Sequence, residues 1–221
     1  ERRAKYGLIR FDNAEPLSVL FHLGMSGRMT CEDDPSLPFE KHDHVVLETV
    51  RGQVRFNDPR RFGFMDLIDG SEEDNRFLAA LGPEPLSDAV SPAYLRAAFK
   101  DRASPIKASL LNQRLIAGLG NIYVCEALFE SGIQPTRKTG SLKRAEVERL
   151  CAAIKGVLAR AIEAGGSSLR DYKQVSGKLG YFQHAWAVYG RENEACRSCN
   201  APIQRIVQSN RSSFFCAACQ R

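Results

Sequence analysis

The segment CRSCNAPIQRIVQSNRSSFFCAAC, at residues 196–219, contains two Cys-x-x-Cys pairs separated by sixteen residues. Two such pairs present four thiolates that surround one Zn²⁺ as a tetrahedron, and sixteen residues are enough for two short strands and a turn. With sulfur at all four positions, no coordination site is left for water, so the metal is structural. The spacing therefore predicts a zinc ribbon with one Zn²⁺ per chain, and the four ligands are Cys196, Cys199, Cys216 and Cys219.

The residues between the two cysteine pairs predict how the ribbon is built. Apolar runs at 203–207 and 212–215 indicate the two strands, which leaves residues 208–211 near the tip and directs Arg211 outward. An arginine on a ribbon tip can enter a DNA groove and contact phosphates, but it is equally well a solvated surface charge. The last 26 residues contain four arginines and no acidic residue, so the tail carries a single sign of charge.

Net charge and hydropathy exclude some classes of protein and single out none. The chain of 221 residues has a net charge of +5 and a sequence pI near 8.9, which suits a polyanionic partner and also many ordinary enzymes. No window approaches the roughly 18 consecutive apolar residues of a membrane span. Seven cysteines, an odd number without a secretory signal, argue for a reducing compartment. We therefore expect a monomer with no membrane partner.

The first third of the chain has the pattern of a β-structure. Short apolar runs between turn residues predict strands at residues 6–11, 17–23, 44–50, 54–57 and 62–68. Arg51-Gly52, between two of these runs, indicates a hairpin. Because the first strand begins at once, without an earlier partner, we expect the sheet to have more chain before residue 1.

Helical patterns follow a predicted linker at residues 82–85 and cover residues 92–100, 105–112, 122–131 and 142–164. The last helix is the clearest, with Ser141 as the predicted N-cap and Gly165-Gly166 as the stop. One face of it is predicted to carry Leu142, Val147, Leu150, Ile154, Leu158, Ala161 and Ile162. Residues 165–183 show no period and are predicted to form a long loop. Strands, then helices, then a ribbon indicate an α+β protein of several domains.

Several further segments, in order and spacing, resemble formamidopyrimidine-DNA glycosylase. They are HLGMSG at 22–27, KHDH at 41–44, NDPRRFG at 57–63, LGPEPL at 81–86, GLGNIY at 118–123 and GYF at 180–182. With the ribbon, this resemblance covers essentially the whole chain. It implies part of a catalytic β-sandwich at 1–85, a helix-two-turns-helix domain with a lesion-sensing loop at 86–183, and a zinc-ribbon finger at 184–221.

Enzymes of that family excise 8-oxoguanine and formamidopyrimidines from DNA, then cut the strand at the abasic site by β- and δ-elimination. The resemblance thus implies base excision repair, with damaged double-stranded DNA as the partner, in the bacterial cytoplasm at the nucleoid. The family nucleophile is an N-terminal proline assisted by an adjacent glutamate. The resemblance begins after both, at RRAKY (residues 2–6), so Glu1 does not match that glutamate. We expect the 221-residue chain, as a truncated form, to bind better than it reacts.

The resemblance also assigns roles to residues. Lys5 matches the proton donor in β-elimination, although a lone lysine at a strand start is usually a surface charge, and Arg211 matches the arginine of δ-elimination. A flipped nucleotide leaves a hole in the duplex, and Met25, Arg60 and Phe62 match the residues that fill it. Phe62 would wedge between bases, Met25 would occupy the void and Arg60 would bond the orphaned cytosine. Without the resemblance, Met25 and Phe62 are ordinary core residues, and Arg60 is equally well part of a solvated arginine pair.

Further DNA contacts are implied at His42, Arg102, Lys107 and Asn121. Asn121 opens a helix after a glycine-rich turn, where it can receive a phosphate or act as a plain N-cap. His42 and His44 lie at positions i and i+2, on one side of a strand, and could instead bind a metal. In the loop from residue 167 to 182, Leu179 replaces the proline usual in the family, which leaves the loop's closing geometry open.

Two other functions stay open. If the native reading frame begins near Glu1, the chain is a non-catalytic zinc-ribbon and helical DNA-binding module. A glycosylase of the endonuclease VIII type prefers oxidised pyrimidines, but its members generally lack the filling set matched by Met25, Arg60 and Phe62. The sequence therefore favours an oxidised-purine glycosylase and abasic-site lyase as the parent activity.

Overall fold

The structure is a computed structural model that describes residues 1–11, 17–167 and 180–221. It contains two compact units, each assembled from two segments of the chain. The first unit comprises Glu1–Ala79 and Ala164–Gln183, and the second comprises Ala80–Glu163 and His184–Arg221. The α+β fold class is confirmed, whereas the division into three consecutive domains stays a prediction.

The first unit contains two antiparallel sheets. One sheet has four strands in the order β1-β2-β3-β7, and the other has three in the order β4-β6-β5. The strands are β1 (Arg2–Arg3), β2 (Tyr6–Arg10), β3 (Leu17–His22), β4 (Arg28–Glu32), β5 (Asp43–Thr49), β6 (Gly52–Asn57) and β7 (Phe64–Asp69). Leu8, Leu20 and Ile68 form the buried centre of the first sheet's core. Burying each such side chain stabilises the unit by about 1.5–3 kcal/mol.

Strand β4 was not predicted, because Arg28, Thr30 and Glu32 interrupt its apolar residues, and only Met29 is deeply buried. The predicted hairpin between β5 and β6 is confirmed, but its turn is Val50-Arg51, and Gly52 already pairs with Thr49. Gly52 has a φ of 137°, and a Cβ there would lie 2.2 Å from the carbonyl oxygen of Glu32. Glycine is therefore required at this end of β6.

The second unit contains four helices: α1 (Pro92–Phe99), α2 (Ile106–Leu111), α3 (Asn121–Ser131) and α4 (Arg144–Glu163). Helix α1 begins with Ser91, whose side chain accepts the N–H of Tyr94 at 3.1 Å, and with Pro92 in its first turn. Helix α3 ends at Gly132, which adopts a left-handed φ of 72°. None of the described helices combines the length and the apolar run needed to span a bilayer.

Three predictions about helix α4 were wrong. Ser141 is not its N-cap, because it lies in a short 3₁₀ turn and its hydroxyl donates to the carbonyl of Lys138 at 2.7 Å. The helix begins later than predicted, at Arg144. Ile162 is 66% exposed, since it lies about 100° around the helix from the buried Ala161. The buried stripe consists of Val147, Leu150, Cys151, Ile154, Val157 and Ala161.

The zinc ribbon consists of two antiparallel strands, β8 (Gln204–Gln208) and β9 (Arg211–Phe215). The two residues between them, Ser209 and Asn210, both have positive φ values, 48° and 59°. Such a pair is typical of a type I′ hairpin turn, whose twist matches that of the strands. Strand β8 has the predicted length but lies one residue later, and β9 is one residue longer than predicted, because Arg211 begins it directly after this turn.

Candidate functional site

The four ribbon cysteines converge on one point. Their sulfur atoms all lie within 4.8 Å of one another, with 3.9 Å between Cys196 and Cys219 and 3.4 Å between Cys199 and Cys216. A tetrahedral site with Zn–S bonds of about 2.3 Å places its sulfurs about 3.8 Å apart. The cysteines therefore fit one Zn²⁺, and the predicted structural zinc is confirmed.

The alternative of a metal at His42 and His44 gains no support. Within residues 1–11, 17–167 and 180–221, the ribbon cysteines are the only group of three or more side chains arranged to hold a metal. The two histidine rings are 6.4 Å apart. The Nε2 of His44 is 2.9 Å from the carbonyl oxygen of Asp58, so this ring is engaged with the backbone.

Ribbon strand β9 meets two of the predicted DNA-binding residues. Lys107, on α2, donates through Nζ to the carbonyl of Ser212 at 2.8 Å and to the hydroxyl of Ser213 at 2.6 Å. Asn121, at the start of α3, donates through Nδ2 to the same Ser212 carbonyl at 2.9 Å. One backbone carbonyl next to Arg211 therefore gathers a lysine and an asparagine from two helices.

The ammonium of Lys107 is held in a buried position. The residue is 1% exposed, and burial lowers its pKa, with the charge of Arg211 acting in the same direction and Cys125 opposing it. An unpaired buried ammonium is costly, and its two acceptors offset that cost. A cavity of about 180 Å³ opens beside it, lined by residues that include Asn112, Ser209 and Arg211.

Asn121 and Arg102, two further predicted DNA-binding residues of this unit, have different contacts. Gly120 is the N-cap of α3 and Asn121 makes no capping bond, so the plain N-cap role proposed for Asn121 is wrong. The Oδ1 atom of Asn121 is buried without a hydrogen-bond partner. Arg102 lies after α1 and donates to the carbonyl of Ala98, and no described contact joins it to the Ser212 cluster.

In the first unit, Asp58 organises the loops that carry the predicted void-filling residues. Its side chain is fully buried. It accepts from the hydroxyl of Ser26 at 2.5 Å, from the N–H of Gly63 at 2.7 Å and from the N–H of Arg60 at 3.3 Å. Burial raises the pKa of Asp58, but these hydrogen bonds outweigh burial and hold the pKa below its usual value. One carboxylate thus ties the turn at Met25 to the loop at 60–63.

The side chains on these two loops point into solvent. Met25 is 65% exposed and Phe62 is 58% exposed, so the interpretation of both as core residues is wrong. The guanidinium of Arg60 lies 5.0 Å from the centre of the Phe62 ring, within cation–π distance. The loops therefore display two apolar side chains beside a planar donor.

Lys5 and His42 also lie in this unit. Lys5 is exposed in the tight turn between β1 and β2, after Ala4 with its φ of 54°. The carbonyl of His42 accepts the N–H of Asp58 at 3.0 Å, so the KHDH segment packs against the Asp58 turn. The buried guanidinium of Arg55 donates to the carbonyls of Leu37 and Pro38 and fixes the preceding loop.

The lesion-loop prediction, Leu179 included, falls on residues 168–179 and lies outside the described residues. The chain on either side of them is held together by a bridge between Ser167 and Tyr181. A Cβ on Gly180 would lie 2.2 Å from the carbonyl oxygen of Gly166. Only glycine fits at that position.

Glu126 is an important residue that the sequence did not reveal. This buried carboxylate on α3 accepts the backbone N–H groups of Ala187, Val188 and Tyr189 at 2.8, 3.1 and 2.8 Å. The Tyr189 ring packs edge-on against Phe214 of β9 at 5.0 Å. Glu126 therefore supports the segment that leads into the ribbon. An acidic residue within the apolar run YVCEALF was the available signal.

Three protein-family models match the chain. The formamidopyrimidine-DNA glycosylase N-terminal domain matches residues 1–65, the formamidopyrimidine-DNA glycosylase H2TH domain matches residues 81–173, and the zinc finger found in FPG and IleRS matches residues 193–221. The three matches follow the strands, the helices and the ribbon in order. The third agrees with the Zn²⁺ geometry of the four cysteines.

Individual relatives give the same result. The formamidopyrimidine-DNA glycosylase of Roseobacter denitrificans is 54% identical over 231 residues, which cover all of this chain and 81% of the relative. The crystal structure of the MutM (Fpg) protein from Thermus thermophilus has a TM-score of 0.90 at 39% identity, over 100% of this chain and 81% of that chain. A Lactococcus lactis FPG mutant in complex with a Fapy-dG containing DNA has a TM-score of 0.90 at 35% identity. The match covers 100% of this chain and 80% of that chain. With identity of this level along its whole length, the chain belongs to the formamidopyrimidine-DNA glycosylase family, the DNA glycosylases of base excision repair.

Proposed function

We propose that this chain recognises oxidised purines, chiefly 8-oxoguanine and formamidopyrimidines, in damaged double-stranded DNA, and supports cleavage of the resulting abasic strand. The observation that carries the proposal is the exposed set of Met25, Arg60 and Phe62, held on two loops by Asp58. Apolar side chains exposed together beside polar groups are typical of a binding surface. A gap in a base stack, with an unpaired base opposite, suits an apolar wedge and a planar donor.

The second unit supplies the phosphate contacts in this proposal. Arg211 lies at the ribbon turn, and Lys107 and Asn121 stand beside it on the shared carbonyl of Ser212. The N–H groups of a lysine and an asparagine can turn toward a phosphate oxygen. Such phosphate contacts position a protein on the duplex without reading the base sequence. His42 and Arg102 are weaker candidates for the same role. We also propose a cytoplasmic location and action as a monomer, since the relatives are bacterial and the partner is DNA.

For the chemistry, Lys5 would transfer the proton in β-elimination, and Arg211 would bind the phosphate that leaves in δ-elimination. An exposed lysine in a tight turn can approach a sugar atom, and a guanidinium offers a paired donor to a phosphate. Borohydride trapping of a Schiff base on abasic DNA tests this chemistry directly.

The lesion-recognition proposal is tested by binding of the zinc-loaded 221-residue chain to duplexes with 8-oxoguanine opposite cytosine, with thymine glycol, or without a lesion. We expect the 8-oxoguanine duplex to bind most tightly. Met25→Ala and Phe62→Ala should each reduce lesion discrimination about tenfold, a loss of stacking worth about 1–3 kcal/mol.

Phe39→Ala is the matched control. Phe39 is 65% exposed in the same unit and also lies under an arginine, with Arg55 4.9 Å from its ring centre. It should leave discrimination unchanged. Tighter binding to thymine glycol than to 8-oxoguanine, or equal losses in Phe39→Ala and Phe62→Ala, would reject the proposal.

A further inference from the structure

His22 lies at the end of β3, where the sheet gives way to the Met25 turn. It pairs with Tyr6 of β2 on one side and with Phe64 of β7 on the other. Its ring lies 5.1 Å from the Tyr6 ring and is stacked on Phe64 at 5.9 Å, with 13° between the planes. The imidazole is therefore fixed in orientation by an aromatic neighbour on each adjacent strand.

The ring also accepts a hydrogen bond from the backbone. Its Nδ1 accepts the backbone N–H of Gly24 at 3.0 Å. This bond from residue i+2 to a side chain is the arrangement of an Asx turn, here made by histidine. A nitrogen that accepts carries no proton, so the imidazole is neutral, with its proton on Nε2.

Gly24 in turn contacts the loop that carries Phe62. It has a φ of 63°, and a Cβ there would lie 2.5 Å from the carbonyl carbon of Phe62. A Cβ on Gly63 would lie 2.7 Å from the carbonyl oxygen of His22 itself. The Met25 turn and the Phe62 loop therefore meet backbone to backbone beside His22. A side chain on Gly24 would displace the backbone of Phe62, and one on Gly63 would displace the backbone of His22.

We infer that His22 is a positioning residue for lesion recognition: by accepting the Gly24 N–H, it fixes the turn of Met25 against the loop of Phe62. The inference rests on the proposed function of those two side chains. Asp58 also joins these two loops, through Ser26 and Gly63. The loops are thus held by a carboxylate at one contact and by a neutral imidazole at the other.

The surroundings of His22 favour its neutral form. Burial lowers the pKa of His22, and the charge of Lys5 lowers it further. Lys5 acts from the turn before β2, the Tyr6 ring lies against the imidazole from β2, and the Phe64 ring is stacked on it from β7. On the Phe62 loop, the carboxylate of Asp58 is engaged by Ser26 and Gly63. Protonation would remove the acceptor for Gly24 and place a cation beside Lys5. The positioning bond is therefore present above the ordinary histidine pKa and is lost as the pH falls through the depressed one.

Two substitutions separate the acceptor from the ring. His22→Phe keeps an aromatic ring between Tyr6 and Phe64 but has no acceptor. His22→Asn removes the ring but places its amide oxygen where Nδ1 stands, and asparagine is the usual residue of an Asx turn. The readout is the ratio of the Kd for undamaged duplex to the Kd for a duplex with a tetrahydrofuran abasic site, measured on the zinc-loaded 221-residue chain.

We expect His22→Phe to lower this ratio about five- to tenfold, the value of one backbone hydrogen bond, and His22→Asn to retain it. In the wild type the ratio should fall as the pH is lowered below the histidine range, whereas in His22→Asn it should not change. Hydrogen exchange of the Gly24 amide, measured without DNA, should be slow in the wild type and in His22→Asn and fast in His22→Phe.

These outcomes distinguish the two proposals. If Met25→Ala and Phe62→Ala leave the ratio unchanged, the proposed function fails, and the Gly24 exchange rates still decide whether His22 fixes the turn. If those variants lower the ratio while His22→Phe keeps the wild-type value, the inference about His22 is wrong. Equal losses in His22→Phe and His22→Asn, with Gly24 exchange alike in both, would also overturn it. If His22→Phe does not fold, the pH dependence of the Kd ratio decides. A ratio that does not change with pH in the wild type or in His22→Asn would overturn the inference about His22.

Discussion

Two groups of predicted DNA-binding residues are organised by opposite means. In the first unit, a side chain acts as the organiser: the carboxylate of Asp58 gathers backbone and hydroxyl donors from two loops. In the second unit, a backbone carbonyl does so: Ser212 accepts from Lys107 and Asn121. The first arrangement depends on one residue type, and the second depends on the fold of the zinc ribbon.

The largest expected effect follows from removing the metal. Zinc binding contributes on the order of 10 kcal/mol to the folding of a small ribbon, so Cys199→Ser or chelation should unfold β8 and β9. Lys107 and Asn121 then lose their shared acceptor, and DNA affinity falls to the non-specific level. Zinc stoichiometry and duplex binding measure this.

Cys31→Ser, at an exposed cysteine outside the ribbon, is the control and should change neither quantity. Full DNA affinity in a chain without zinc would show that the Ser212 carbonyl does not organise the site.

A smaller effect is expected from Asp58→Asn. Its amide keeps the shape of the carboxylate but places an N–H₂ group where Ser26 or Gly63 now donates, so a buried donor loses its acceptor. The free energy of unfolding should fall by about 2–3 kcal/mol in urea denaturation, while the zinc content is unchanged.

Asp69→Asn, at the exposed end of β7, should have no comparable effect. A loss of zinc in Asp58→Asn would contradict the independence of the two arrangements. Wild-type stability would contradict the role of Asp58 in holding the loops.

The smallest effect is expected from Lys107→Met. Replacing a buried ammonium with an apolar side chain of similar length changes stability little. Loss of one phosphate contact should weaken binding about tenfold for all duplexes and reduce the slope of log affinity against log salt by about one. Lys155→Met is the control, because Lys155 also donates to a backbone carbonyl, that of Ser87 at 3.1 Å. A lesion-dependent loss in Lys107→Met would contradict a phosphate role.

The sequence predicted the features that follow from spacing. The four zinc ligands, the glycine stop of α4 and the hairpin of β5 and β6 all depend on local chemistry. The NDPRRFG motif contained Asp58, but only the structure shows that its carboxylate links two loops. Residues whose role is to bond backbone could not be found in the same way.

Glu126 and Ser212 illustrate why. Glu126 accepts three N–H groups from residues about sixty positions away, and no local pattern specifies such a pairing. The acceptor at Ser212 is a main-chain carbonyl, which every residue has. Ser141 was predicted as an N-cap because serine favours that position, yet its hydroxyl is bonded within the preceding turn.

The measurement that tests the central claim most directly is the salt dependence of binding to an 8-oxoguanine duplex and to an undamaged duplex of the same sequence. If one set of residues reads the lesion and another binds phosphates, the two plots of log affinity against log salt are parallel. Their common slope should be near −4, for about four or five neutralised phosphates, with the lesion duplex offset to tighter binding. Coincident plots, or a slope near zero for either duplex, would contradict the account.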